Sequence, residues 1–369
     1  MSNTSPLPQV KPGIMDIAPY IPGKGTVEGV DKPVRIAANE NPLGCSPLAR
    51  QAFVESASQI HRYPAGGADD LRDAIAHAEG LSPDAIFIGA GSDELITLLA
   101  RAYAGPGDEV LYSAHGFAMY PLAALAVGAT PVAAPEQNLT TDVDALLAHQ
   151  TERTRICYLA NPNNPTGTLI SAEEVRRLRA GLRDDVILVL DAAYAEFITD
   201  PTYDPGLKLA AEAPNTVMLR TFSKIHGLAG LRLGWMTGPQ HILDVLQRLR
   251  SPFNANLPAQ AAGVAAIGDT DFVQRSIAHN TEWLSWTRDR LTRLGLTMPQ
   301  SHGNFLLADF GEATRAEAIS AQLTRNGILL RPMGMYGLGS HLRISIGLQE
   351  DMKRFIEVLE DAMSLADAA

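Results

Sequence analysis

The stretch Thr221-Phe222-Ser223-Lys224-Ile225-His226-Gly227-Leu228-Ala229-Gly230-Leu231-Arg232 brings an amine, hydroxyls and a guanidinium into one short loop. The apolar run Thr216 to Phe222 reads as a buried strand, so Lys224 stands at a strand end, and Gly227 and Gly230 keep the loop from being helical throughout. Arg232 follows before a second apolar strand, Leu233 to Thr237, so these donors can converge on one small anion. A lysine in a semi-enclosed pocket beside other cations has a free amine near neutral pH, as a Schiff-base nucleophile requires. On an exposed loop the same Ser-Lys pair is only a solvated surface pair.

Three further stretches could join it. Gly89-Ala90-Gly91-Ser92-Asp93-Glu94 lies between a strand and a helix, where glycines let the backbone approach a ligand and the free amides opening the helix suit a phosphate. It is neither the dinucleotide fingerprint, whose third glycine is missing, nor a P-loop, and with no ligand it is a plain helix cap. Asn161-Pro162-Asn163-Asn164-Pro165-Thr166-Gly167 follows the strand Arg155 to Ala160. Its prolines constrain the residues before them and make a rigid turn that presents Asn164 at the carboxyl end of a central strand, where α/β sheets bind ligands. The strand Val186 to Leu190 ends in Asp191, with Tyr194 just after it. A carboxylate closing an apolar strand either caps it or calls for a cationic partner such as a protonated ring nitrogen.

The elements that must position these groups alternate strand and helix from residue 84 to about 268, the signature of a mostly parallel sheet wrapped on both faces. Strands are expected at Ile86 to Ile88, Glu109 to Ser113, Thr130 to Ala133, Arg155 to Ala160, Val186 to Asp191, Thr216 to Thr221 and Leu233 to Thr237. Helices are expected at Asp93 to Tyr103, Ala118 to Val127, Asp142 to His149, Ala172 to Gly181 and Gln240 to Arg250, then at Pro258 to Ile267 and Asp271 to Leu294, the latter leaving this domain. Beyond Gly295 a compact α+β module follows, with strands Leu296 to Met298, Phe305 to Phe310, Ile328 to Arg331 and His341 to Ile346. Ahead of the large domain, Asp16 to Gly29 reads as an arm, whose Tyr20 either anchors it or serves the site, and Val34 to Ala38 as a strand leading to Asn39-Glu40-Asn41. The expected division is 1–45, arm and part of the small domain; 46–268, large domain; 269–369, small C-terminal domain.

Composition bounds the reading. The chain has 369 residues, 46% apolar and 19% charged, enough for more than one core. A net charge of −11 with no basic cluster excludes a nucleic-acid or anionic-membrane surface as its business. Two cysteines, Cys45 and Cys157, have no partner at metal-ligand or redox spacing and fit a reducing compartment. With no secretory signal and no apolar run that could span a bilayer, the expected location is the cytoplasm.

Taken together, Asn164-Pro165-Thr166-Gly167, Asp191-x-x-Tyr194, Ser223-Lys224 and Arg232 resemble the fold-type I pyridoxal-phosphate-dependent aminotransferases, and within them the histidinol-phosphate aminotransferase family. The resemblance runs from Tyr20 to Arg343 and implies a seven-stranded, mostly parallel sheet with a smaller α+β domain. It implies that Lys224 binds pyridoxal 5′-phosphate and shuttles the substrate proton, that Asp191 pairs with the pyridinium nitrogen, and that Asn164 and Tyr194 donate to the cofactor O3′. Gly91, Ser92, Asp93, Thr221, Ser223 and Arg232 match the phosphate cup. Phe117, where many relatives have tyrosine, matches the ring stacked on the pyridine. Tyr63 matches a tyrosine reaching the phosphate in the neighbouring subunit, which implies a homodimer with shared sites. Arg343 matches the carboxylate-gripping arginine and Arg331 a second anion-binding one; with Tyr20, Asn39, Glu40 and Asn41 they form the substrate set. The implied reaction is transamination between L-histidinol phosphate and 2-oxoglutarate. Alternatives on the same scaffold are an aromatic or broad-range aminotransferase and a threonine-phosphate decarboxylase-like lyase.

Overall fold

The computed structural model describes residues 10–11, 13–17 and 25–367. Its strands in chain order are β1 (Val34–Arg35), β2 (Ile86–Gly89), β3 (Glu109–Ser113), β4 (Thr130–Ala134), the hairpin β5 (Glu136–Gln137) and β6 (Thr140–Thr141), β7 (Thr154–Ala160), β8 (Ile187–Asp191), β9 (Thr216–Thr221), β10 (Gly234–Thr237), β11 (Phe305–Asp309), β12 (Ile328–Leu329), β13 (Arg331–Met333) and β14 (Leu338–Ser345). Seven of them form the main sheet in the order β2-β10-β9-β8-β7-β3-β4. Only β10 runs antiparallel to its neighbours.

The unbroken apolar strands follow from burial on both faces. Along β7, Cys157 and Leu159 point into one core with Leu71, Ile75 and Ala259, while Ile156 and Tyr158 point into the other with Leu95, Leu99 and Tyr120. β8 and β9 repeat the alternation with Leu188, Leu190 and Met218 against Val189, Val217 and Leu219. With side chains alternating at a period of two, a polar residue on these strands is accommodated at an end or, like Arg220 on β9, by buried ion pairs, here with Glu79 and Glu196. Asp191 and Thr221 occupy such ends, and adjacent pairing of β7, β8 and β9 brings the chain after Ala160, Asp191 and Thr221 to one edge of the sheet.

A second core gathers Val34 and Ile36 from the N-terminal segment with Trp283, Leu306, Ile344, Phe355 and their neighbours. β1 pairs in parallel with β12, and β11, β14 and β13 form a separate antiparallel sheet. The helix Thr270–Arg293 spans both regions: Val273 and Ile277 pack by Tyr194 and Phe197, whereas Trp283 and Leu291 lie in the second core.

Some expected elements are corrected. The strand expected over Val34 to Ala38 stops at Arg35, because the carbonyls of Ala37 and Ala38 accept from Arg343 and Lys224 instead of a ladder partner. Ile328 to Arg331 is divided, since β12 pairs with β1 and β13 with β14. Leu296 to Met298 is reduced to one bridge, Thr297 to Asp309. The hairpin β5–β6 and the helix Leu207–Glu212 were not anticipated.

The loop bearing Lys224 depends on Gly227, which has φ +68° and where a Cβ would overlap the Gly44 carbonyl oxygen. Gly80, at φ +69°, has open space around it. Both sites disfavour alanine through φ, so their difference isolates the clash. Gly227→Ala is expected to lower unfolding stability by about 1–3 kcal/mol more than Gly80→Ala, read from urea denaturation; equal losses would contradict the close packing of this loop on Gly44.

Candidate active site

Asp191 is buried at the end of β8, and its Oδ2 accepts a 2.8 Å hydrogen bond from the Tyr120 hydroxyl. Tyr120 is itself fully buried, stacked on Tyr158 at 4.6 Å, and Tyr158 donates to the Ile96 carbonyl. The other oxygen, Oδ1, is buried without a hydrogen-bond partner among the described residues. Burial pushes the carboxyl up to about 6, against the Tyr120 hydrogen bond, which holds it down. An unsatisfied acceptor in this setting costs about 1–3 kcal/mol, so the site is built for a donor it does not itself contain.

Across the cavity, Lys224 Nζ donates to the Ala38 carbonyl at 3.3 Å and lies 5.6 Å from the Tyr194 ring centroid. Burial and then the neighbouring Arg343 charge bring its amine down to about 8, while Asp93 and Glu40 oppose the shift. The Tyr194 hydroxyl accepts from Asn39 Nδ2 at 2.9 Å, which leaves its own proton to donate elsewhere. Burial pushes Tyr194 up to about 12, so that proton stays on near neutral pH. Asn39 is fixed in turn by Ser345, whose hydroxyl donates to Oδ1 and accepts from the Asn39 backbone amide, both at 2.8 Å.

The three asparagines of the β7 turn divide their work. Asn161 exchanges hydrogen bonds with Ile170, and Asn163 donates to His115 O and Thr166 Oγ1, so both build the turn. Asn164 faces the cavity, and its Oδ1 accepts from Arg343 Nη1 at 2.6 Å. That bond fixes the amide orientation and leaves Nδ2 as the outward donor. Arg343 Nη2 donates to the Ala37 carbonyl at 2.8 Å, which holds the guanidinium in place.

At the third corner the helix Ser92–Tyr103 directs its N-terminus at the cavity. Arg232, itself at φ +53°, lies over that end, with Nη2 on Asp93 Oδ2 at 2.9 Å and Nη1 on Ser223 Oγ at 3.4 Å. Gly91 stands at φ +85°, a conformation that L side chains rarely adopt, which favours bare backbone at this helix end. Glu94 braces the loop by accepting from Ala90 N and Asn254 Nδ2, and Thr221 Oγ1 accepts from Ser223 N.

These groups line two joined lobes. The deeper, about 240 Å³, is bounded by Asp191, Tyr194, Asn164, Lys224, Ser223 and Arg232. The outer, about 610 Å³, combines Arg35, Arg331 and Arg343 with an apolar wall of Met119, Leu122, Met335 and Tyr336. Phe117 borders both lobes and meets Tyr120 edge-on at 5.9 Å. Arg331 and Arg343 are register partners on β13 and β14. Like charges facing each other across a strand pair repel, and an anion between them removes the penalty.

Two expected residues stand apart. Asn41 does not line either lobe; its Nδ2 donates to Ile225 O and Ser276 Oγ, bracing the Lys224 loop. Tyr63 is 80% exposed and stacks on Phe253 at 4.6 Å, outside this chain's own cavity. Tyr20 lies outside the described residues. Sequence reasoning missed Tyr120, Arg35 and Tyr336. Tyr120 follows Phe117 closely, but only the fold reveals that it reaches Asp191.

The lowered Lys224 amine has a measurable consequence. In the cofactor-free chain, competitive acetylation read by mass spectrometry should give Lys224 an apparent pKa near 8 rather than the ordinary 10.5. Arg343→Gln should raise it, because a neighbouring cation favours loss of the proton. Unfolded chain binds more protons here between about 8 and 10.5, so this group makes stability rise with pH across that window. Ordinary lysine reactivity at Lys224 would contradict the enclosed, cationic setting.

Comparison with known proteins agrees with this geometry. Residues 31–359 match the family described as aminotransferase class I and II. Histidinol-phosphate aminotransferase of Rhodospirillum rubrum is 52% identical over 356 residues, 96% of each chain. The Paramagnetospirillum magneticum protein of the same name is 52% identical over 97% of this chain and 99% of its own. The crystal structure of histidinol-phosphate aminotransferase from Sinorhizobium meliloti, in complex with pyridoxal 5′-phosphate, superposes with a TM-score of 0.91 at 28% identity, covering 98% of this chain and 99% of that one. With strand order, strand-end groups and full-length similarity in accord, the chain belongs to the class I and II aminotransferases, in the branch whose curated members are named histidinol-phosphate aminotransferase.

Proposed function

We propose that this chain transfers the amino group of L-histidinol phosphate to 2-oxoglutarate with pyridoxal 5′-phosphate as cofactor. The observation that supports it best is one cavity holding an amine, an unpartnered buried carboxylate oxygen and a phosphate-sized cradle, in a chain half identical to relatives of that name. The residues fit the cofactor. Asp191 Oδ1 lacks a donor, which a protonated pyridine nitrogen provides, and the Gly91 backbone with Arg232 and Ser223 leaves room and charge for a phosphate.

When bound, the cofactor supplies an electron sink beside the substrate amino group. Lys224 would hold it through its amine and, when released, would take the proton from the donor's α-carbon in one half-reaction and deliver one to the acceptor's α-carbon in the other; an amine near 8 can do both at physiological pH. Asp191 keeps the ring nitrogen protonated, and that cation brings the carboxylate back down by charge pairing. Asn164 Nδ2 and the Tyr194 hydroxyl are the two oriented donors for the ring oxygen, and Phe117 provides the stacking face. Arg343, with Arg331 opposite it, receives the anionic group on the substrate α-carbon, a carboxylate in one half-reaction and a CH₂-phosphate in the other.

The reading includes a cytoplasmic homodimer, with Tyr63 serving the partner's site. Supporting it are the exposure of Tyr63 and of the apolar side chains Leu48, Phe53, Val54 and Ile60 in the segment that precedes it, which a second copy would cover. No described helix is long and apolar enough to cross a membrane. The proposed units, 1–45 with 269–369 and 46–268, are supported by the separate core that joins Val34 and Ile36 to the C-terminal residues.

The test is a steady-state comparison of histidinol phosphate, histidinol, phenylalanine and tyrosine as donors with 2-oxoglutarate. Histidinol phosphate is expected to lead. Arg343→Lys is expected to lower kcat/KM in both half-reactions by roughly one to two decades, because a lost charge-assisted bond costs about 1.5–3 kcal/mol. Phenylalanine or tyrosine outperforming histidinol phosphate would replace this reading by an aromatic aminotransferase, for which the wall of Met119, Leu122 and Tyr336 is already suited.

A further inference from the structure

The proposed reaction sets the outer lobe a problem that Arg343 and Arg331 do not solve. Both substrates place an anion at the α-carbon, but their far ends differ: the 2-oxo acid ends in a carboxylate, the amino donor in an imidazole with a ring N–H. One pocket must accept a negative group there in one half-reaction and a hydrogen-bond donor in the next.

The outer lobe is lined by an ion pair, Arg35 with Glu40, that offers both signs. The two line it together, joined by a long contact, Nη2 to Oε1 at 3.5 Å. Both are about half exposed, at 56% and 45% of their side-chain surface, so the pair is weakly held and easily exchanged for a substrate group. Backbone on each side is anchored. Arg35 stands on β1 opposite Leu329, two residues before Arg331 on the neighbouring chain segment, so the two guanidiniums border the same space. The Glu40 carbonyl and that of Asn39 accept from Asn304 Nδ2, which fixes the turn carrying Glu40.

We propose that the Arg35–Glu40 pair is the element that lets one cavity recognise both far ends: Arg35 takes the distal carboxylate of the 2-oxo acid, and Glu40 takes the imidazole N–H of the amino donor. Each substrate separates the pair and replaces half of it. The inference rests on the proposed donor and acceptor, and its tests are ratios within one half-reaction at a time.

Half-reactions of the holoenzyme are followed separately by the absorbance of the bound cofactor. For Arg35→Gln, the ratio of kcat/KM for 2-oxoglutarate to that for pyruvate should fall roughly 10- to 100-fold, the scale of one charge-assisted bond, with the loss in KM. For Glu40→Gln, the ratio for histidinol phosphate to L-phenylalaninol phosphate should fall, while the 2-oxoglutarate to pyruvate ratio should not. Thermal melts of both variants report whether the fold is kept. A fall in both ratios for both variants would mean general electrostatics and overturn the assignment, as would no change in either. If wild type does not use histidinol phosphate at all, the proposed donor fails, yet the Arg35 ratio still decides the acceptor half.

Discussion

A carboxylate at the buried end of a central strand, half satisfied by one tyrosine and half left open, is the constraint on which this structure depends. Asp191 could be made tolerable in several ways, and among the described residues one of its two oxygens, Oδ2, takes a hydrogen bond from Tyr120 while Oδ1 has none. The tyrosine must then be held without slack, which is the work of its stack on Tyr158 and the complete burial of both rings. A carboxylate with an open oxygen in low dielectric attracts a cation strongly, and around the position that cation must occupy β9 places an amine, β7 an amide and β2 a phosphate-suited helix end.

The opposite wall is held by backbone from the second core. Ala37 and Ala38 give their carbonyls to Arg343 and Lys224, and Asn39 links Tyr194 to Ser345. Asn304 closes the circuit onto Asn39 and Glu40. Arg343, Lys224 and Tyr194 are thus each braced by a residue from a different part of the chain. Orientation is decided before any ligand arrives, which lowers the cost of binding.

Much of this was legible in the sequence wherever a local signal existed. β3 and β9 have the expected bounds, and the other main-sheet strands agree within a residue or two, because apolar runs between turn-forming residues leave little choice. Lys224, Asp191, Asn164 and Arg232 announce themselves at strand ends, and the structure brings all four to one cavity. What escaped was set by contacts distant in sequence. Tyr120 reads as an ordinary core residue until β8 is placed beside it, and Arg35 as a solvated strand residue until β1 pairs with β12. Asn41 misled for the converse reason: it shares a polar turn with Asn39, yet its amide is spent on the backbone of the Lys224 loop.

The open oxygen of Asp191 is most directly tested by nitrogen-15 magnetic resonance of the bound cofactor labelled at the ring nitrogen. The account predicts a protonated pyridinium signal in wild type at neutral pH, lost in Asp191→Asn and weakened in Tyr120→Phe, where the carboxylate loses the Tyr120 hydroxyl donor. A neutral ring nitrogen in wild type would contradict it, because the buried carboxylate would then have been built for something else.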